Sequence, residues 1–138
     1  MIKEIYSVEA HSILKQSKNA VLIDVRSTME HEYVGHPTNS IHVPIQEPPD
    51  WDIRADFIKN IALELGNRFP NIKDPHEIHV LLLCRSGKRS GRAASILESK
   101  GYRSIINIID GFEGDKDVNH HRNVINGWRF NKLPWEQS

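Results

Sequence analysis

A cysteine becomes a nucleophile when positive charge or hydrogen-bond donors favour its thiolate. Cys84 is the only cysteine among 138 residues and heads the stretch Cys84-Arg85-Ser86-Gly87-Lys88-Arg89-Ser90, with Arg92 close behind. Four basic side chains therefore fall within nine positions of the chain's one thiol. A lone cysteine cannot form an internal disulfide, which leaves an inert buried thiol or a reactive one. An apolar run leads into Cys84 and a segment with helical spacing follows it. A loop running from the carboxyl end of a strand into a helix N-terminus gathers backbone N–H groups and the helix's partial positive charge at one spot. Such a spot holds anions and equips a thiol for covalent chemistry.

Spacing separates the chemistries that use anion-binding loops. A P-loop requires G-x-x-x-x-G-K-[ST], but Leu82 lies five residues before Gly87, and Arg89 stands where the metal-binding hydroxyl belongs. A cysteine phosphatase loop places five residues between Cys and Arg; here Arg89 comes one residue too early and Leu83 precedes the cysteine. The tighter loop suits a sulfur atom carried on Sγ better than a tetrahedral phosphoryl group.

The elements that must position this loop alternate along the chain. Ile2–Ile5 reads as a short strand, Ser7 as the N-cap of a helix to about Ser17, and 20–25 as an apolar strand carrying Asp24 at its carboxyl end. Ser27 or Thr28 caps a short helix through Glu30 and Tyr33, and Asn39 suits a left-handed turn before a strand ending at Pro44. Ile53, Phe57, Ile61 and Leu65 recur every four positions, which predicts a helix from about Trp51 to Leu65 stopped by Gly66. Ile78–Leu83 reads as a central strand, Ser90–Lys100 as a helix stopped by Gly101, and Ile105–Ile109 as a further strand. This is the pattern of an α/β fold: a mostly parallel sheet of about five strands with helices on both faces. The length suits one domain over 1–138, with a polar extension from about 111 to 138 packed on it.

Cys84 to Ser90 resembles the six-residue active loop of rhodanese-family sulfurtransferases and the helix that follows it. "LIDVRS" at 22–27 is similar to that family's first signature strand, "GHPTNSIHVP" at 35–44 to its turn and strand, and "GY" at 101–102 with "IINIIDGFEGD" to its last strand and loop. "NGW" and "LPW" near the end are similar to the tails of some single-domain thiosulfate sulfurtransferases. Pro37 and Asn39 depart from the apolar residue and glycine common in the family's turn.

The resemblance implies a double displacement in which Cys84 takes a sulfane sulfur from thiosulfate or a similar donor, holds it as a persulfide and passes it on. It assigns Arg85, Ser86, Gly87, Lys88, Arg89 and Ser90 to substrate binding, with Arg89 foremost for the donor's sulfonate. Asp24 and Arg26 are expected to brace the loop, and Phe112, Glu113 and Trp128 to line the pocket rim. Without a second thiol to resolve the persulfide, the acceptor must come from outside, as cyanide, a small thiol or a protein thiol.

Composition narrows the partners. With 18 basic and 18 acidic residues, no net field draws the chain to nucleic acid or to an anionic membrane. The start, Met1-Ile2-Lys3-Glu4, lacks the apolar core of a secretory signal and no stretch approaches the ~20 apolar residues of a membrane span, so a cytoplasmic protein is expected. The eight histidines, His120-His121 included, show no metal-ligand spacing with Cys84 and are expected at the surface or in hydrogen bonds. No cofactor and no metal are implied. Two rival readings remain: a non-catalytic rhodanese-like module that binds a partner or senses sulfur state, and a cysteine phosphatase or arsenate reductase.

Overall fold

The computed structural model describes residues 1–138. Five strands, β1 (Ile2–Ile5), β2 (Ala20–Asp24), β4 (Ile41–His42), β5 (His79–Leu83) and β6 (Ser104–Ile108), pair in the order β1-β6-β5-β2-β4. Every pairing among them is parallel, with Leu22 opposite Leu81 and Leu81 opposite Ile106 in the central register. The central strands are apolar at consecutive positions because parallel crossovers bury both faces of the sheet.

The alternation of side chains splits each central strand between two cores. Val21, Ile23, Val80, Leu82, Cys84 and Ile105 face α2 (Phe57–Arg68) and α3 (Lys88–Ser99), which contribute Phe57, Ile61, Leu65, Ala93, Ala94 and Leu97. Leu22, Leu81, Leu83, Ile106 and Ile108 face the opposite side, where α1 (Ser7–Gln16) supplies Ala10. One short helix cannot cover that face, and Phe112 and Trp128 complete it.

The C-terminal segment is therefore part of the second core. Trp128 is 2% exposed, its indole Nε1 donating to the Pro134 carbonyl at 2.9 Å. Further on, β7 (Trp135–Glu136) pairs antiparallel with β3 (His36–Pro37). The buried carboxylate of Asp110 fastens this segment to the start of α1. It accepts the Ser7 N–H and hydroxyl at 2.9 and 2.7 Å and the Gly127 N–H at 2.9 Å. Tyr6 holds the N-cap position, so Ser7 is the first helical residue and its hydroxyl serves Asp110 in place of capping.

Two expectations from spacing are corrected. Residues 51–56 are not helical: Trp51 has a left-handed φ of 57°, Gln46 and Ile53 bridge, and the Arg54 N–H donates to Ile45. Ile53 matched the helical period by coincidence of sequence, and the N–H groups of that segment are committed elsewhere. Nor does Gly66 end α2, which runs on to Arg68; a Cβ at Gly66 would meet nothing within 4 Å. Asn39 does take the left-handed backbone, at φ 68°. The short helix after Thr28 forms as a π-helical turn over Glu30–Val34.

Candidate active site at the end of β5

Cys84 follows the last residue of β5 and keeps that strand's alternation, so its side chain points to the α3 side of the sheet. It is 1% exposed and carries a free thiol. The chain then turns back through Gly87 at φ 100° into the N-terminus of α3. The turn brings the Gly87 N–H to 3.0 Å from the Cys84 Sγ and the Ser90 hydroxyl to 3.3 Å. The first intrahelical bond runs from the Gly91 N–H to the Gly87 carbonyl, so the N–H groups of Lys88, Arg89 and Ser90 precede the helix's own ladder. Cys84 thus sits at the positive end of a twelve-residue helix.

The loop is held by the turn after β6. Phe112 N–H donates to the Cys84 carbonyl at 2.8 Å, and Glu113 N–H to that of Arg85 at 3.0 Å. Both glycines at this contact are sterically required: a Cβ at Gly87 would lie 2.5 Å from the Ile109 carbonyl oxygen, and one at Gly111 2.5 Å from that of Arg85. Both also have positive φ.

Asn107, buried within β6, was not foreseen as a site residue. Its Nδ2 donates to the Gly87 carbonyl at 3.2 Å, which orients the amide, and its Oδ1 lies 2.6 Å from the Ser90 Oγ. Ser90 has one hydroxyl proton and two acceptors within reach, Asn107 Oδ1 and Cys84 Sγ. A thiol S–H can donate to Ser90 while Ser90 donates to Asn107; a thiolate turns the hydroxyl proton toward sulfur. The sequence held a signal for this residue: one amide inside the otherwise apolar "IINII".

Arg89 lines the depression together with Arg85 and is at the same time paired with an acidic partner. Its guanidinium forms two bonds, of 2.7 and 2.8 Å, with the carboxylate of Glu30. Burial pushes the Glu30 carboxyl up, but these bonds, the Arg89 charge and a bond from Ser27 outweigh it and hold the group below the usual glutamate range. The same bonds raise Arg89 above the ordinary arginine value against the opposing pull of burial, with the charges of Glu30, Cys84 and Asp24 adding to the rise. Arg89 thereby ties α3 to the turn after β2. Arg85 and Lys88 are exposed, Ser86 is half-buried, and Arg85 lines the depression above the loop.

Asp24 and Arg26 bond to each other, not to the loop. The fully buried pair is joined at 2.9 and 2.8 Å, and Arg26 also donates to the Gly35 carbonyl. Arg26 Nη1 has no hydrogen-bond partner, and the guanidinium lies 4.5 Å from the centre of the Phe112 ring. Support for the loop thus passes through Phe112, whose N–H holds the Cys84 carbonyl. Burial raises the Asp24 carboxyl, but bonds from His31 and Arg26 and the Arg26 charge prevail and hold it far below the ordinary aspartate value.

Of the expected rim residues, only Glu113 borders the depression. Phe112 is 0% exposed and belongs with Trp128 to the second core, because the face opposite α2 and α3 has too little helix to cover it. The actual walls include Met29, Val34, Pro48 and Trp51. Three of the eight histidines form a column that the sequence did not announce. His31 stacks on His36 with ring centres 3.8 Å apart and on His42 at 4.3 Å, and His31 Nδ1 lies 2.8 Å from Asp24. No cluster of His, Cys, Asp and Glu is arranged to hold a metal ion, and no helix is long and apolar enough to cross a membrane.

The family model described as the rhodanese-like domain matches residues 7–117 of the chain. The chain belongs to the rhodanese-like family. Among solved structures, this rhodanese-like protein is similar to Rv0390 from M. tuberculosis, at a TM-score of 0.81 and 31% identity over 99% of this chain and 98% of the other. It is 33% identical to the uncharacterized protein RP600 homolog of Rickettsia rickettsii over 98% of both chains. It is also 26% identical to the thiosulfate sulfurtransferase GlpE of Haemophilus influenzae, over 81% of this chain and 86% of that one. The family supports sulfurtransferase-type chemistry in general for this rhodanese-like fold.

Proposed function

We propose that the protein is a sulfurtransferase that carries sulfane sulfur as a persulfide on Cys84. The observation that carries the reading is the setting of Cys84 Sγ, which accepts from Gly87 N–H and faces the Ser90 hydroxyl at the N-terminus of α3. In the first half-reaction the Cys84 thiolate attacks the terminal sulfur of a small anionic donor such as thiosulfate. A Cys84 S–S bond forms, and the donor's S–S bond breaks with its electron pair leaving on sulfite. In the second, an external nucleophile such as cyanide or a small or protein thiol attacks the outer sulfur, and the thiolate returns. Backbone N–H groups and the helix end offset the negative charge that persists on sulfur throughout.

The exposed Arg85 and Lys88 attract the anionic donor, while Arg89 keeps α3 in register with Glu30. Mass spectrometry after incubation with thiosulfate tests the reading: one sulfur, about 32 Da, gained in the wild type and absent from Cys84→Ser. An unmodified wild-type chain overturns it. The near-complete enclosure of Cys84, at 1% exposure, favours a second reading, a module that binds a partner without turnover. The same absence of added sulfur would favour that reading.

A further inference from the structure

β4 is two residues long and meets β2 only at Ile23 and Asp24, which leaves the first half of β2 without a neighbour on that side. Successive residues of a parallel strand bond to opposite neighbours. The Asn19 carbonyl accepts from His79 before β5 and the Asp24 carbonyl accepts from Val43 after β4, so the alternation turns the N–H groups of Ala20 and Leu22 toward the gap. No strand lies there to receive them. A cleft of about 260 Å³ opens along this gap, a little under the ~300–1,000 Å³ of sites for drug-sized ligands and suited to a smaller molecule. Ala20 is opposite His79 in the parallel pair β2 and β5, so the cleft lies at the amino ends of the strands, away from Cys84 at the carboxyl end.

The walls of the cleft are of two kinds. Leu14, Trp128 and Pro134 are apolar, whereas His11 and Lys15 of α1 and Arg68 of α2 carry nitrogen, and no aspartate or glutamate is among the lining residues. Neither Lys15 nor Arg68 forms a salt bridge anywhere in the protein; Arg68 reaches only the Asn39 carbonyl, at 3.2 Å. His11 meets Trp128 edge to face, with ring centres 5.6 Å apart, and burial together with the Lys15 charge holds its imidazole below the ordinary value. Two cations without a carboxylate partner, amide donors without a strand partner and an aromatic edge therefore converge on one enclosed space. That combination matches a ligand with one carboxylate and a flat apolar body.

We infer that this cleft is a second binding site, separate from the thiol loop, for a small aromatic carboxylate. The carboxylate accepts from the Leu22 N–H and faces Lys15 and Arg68, and the ring lies against Leu14 and the edge of Trp128. The cations supply attraction and the apolar wall supplies selectivity, so a bare anion such as phosphate gains only half of what the cleft offers. The site takes no part in sulfur transfer and stands whether or not Cys84 carries sulfur.

The test is an NMR titration of the full chain, following backbone amides and indole N–H signals, with benzoate, its neutral isostere benzamide and inorganic phosphate. Benzoate should shift the Leu22 amide and the Trp128 indole saturably, with a dissociation constant of about 1 mM or tighter, and leave the Gly87 and Ser90 amides of the thiol loop in place. Benzamide and phosphate should each bind at least about tenfold more weakly, since one lacks the charge and the other the ring. Lys15→Gln and Arg68→Gln, both at exposed side chains that folding does not need, should each weaken benzoate about fivefold. Absence of a saturable shift at Leu22 and Trp128, or benzoate shifts centred on the thiol loop, overturns the inference. So does benzamide or phosphate binding as tightly as benzoate, or benzoate affinity unchanged in both variants.

Discussion

The guanidinium of Arg89 grips the carboxylate of Glu30 through two bonds, of 2.7 and 2.8 Å, across 59 residues of sequence. The pair joins the first turn of α3 to the turn that follows β2. It thereby fastens the first turn of the helix, and with it the end of the thiol loop, to the segment that carries Glu30. Arg89→Ala and Glu30→Ala should each cost about 1–3 kcal/mol, because either leaves a half-buried charge without its partner. The double substitution should cost less than the sum, with a coupling energy of about 1–3 kcal/mol in urea unfolding. Additive losses would show that the bonds contribute little.

Ser90→Ala removes the hydroxyl that can turn from Asn107 to a Cys84 thiolate. A hydrogen bond to a charged acceptor is worth about 1.5–3 kcal/mol, so thiol alkylation at neutral pH should slow by roughly one to two orders of magnitude. Iodoacetate, being anionic, should outpace iodoacetamide in the wild type and lose that advantage in Arg85→Ala. Equal rates for both reagents throughout would argue against an anion-attracting mouth.

Gly111→Ala forces a Cβ to 2.5 Å from the Arg85 carbonyl oxygen at a positive φ. The loop must shift to admit it, at a cost of about 1–3 kcal/mol from backbone strain alone. Persulfide formation should fall together with thermal stability. Unchanged stability would mean that the turn after β6 does not set the loop's position.

Trp128→Ala empties the centre of the second core and should cost about 3–5 kcal/mol, read as a lower denaturation midpoint in urea. Phe112 loses packing with it, so loop alkylation should become less selective. A small change would show that the C-terminal segment lies outside the cooperative core.

Acid should destabilise the fold in two stages. His42 is kept below its ordinary value of 6.5, by burial before all else, so the unfolded chain binds the proton more readily. Its contribution is complete above that value and declines as pH falls through the folded value. Glu30 and Asp24 are both held below their ordinary values of 4.5 and 3.8, so their contributions are present above those values and are lost as pH falls further. Unfolding free energy measured from pH 8 to pH 3 should therefore decline first below about pH 6.5 and again below about pH 4.5. His42→Asn should shrink the first decline, to which His11, also held below its ordinary value by burial and by the Lys15 charge, adds in the same direction, and should leave the second in place. A stability that rises on acidification would contradict this order.

Much of this protein was legible without coordinates, because the relevant forces act locally. Apolar runs at Ala20–Asp24, His79–Leu83 and Ser104–Ile108 could be read as buried strands, and the thiol loop had to follow the middle one. Asn39 signalled its left-handed turn through its own backbone preference. Cys84 with Gly87 and the start of α3 announced an anion-binding turn, since those donors lie within a few residues of the sulfur.

Tertiary structure decided what depends on residues far apart in sequence. The binding role first assigned to Arg89 had to account for Glu30, which lies 59 positions away, and the expected rim residues Phe112 and Trp128 proved to be core because one sheet face lacked helix. The helical period through Ile53 gave way to a loop in which the Arg54 N–H donates to the Ile45 carbonyl and Trp51 takes a left-handed backbone. Asn107 could be noticed as the polar residue in an apolar strand, but only packing placed its amide between Gly87 and Ser90. Short-range backbone preference and periodicity are written in neighbouring residues; which side chain meets which charge is determined by the closure of the sheet and the burial it imposes.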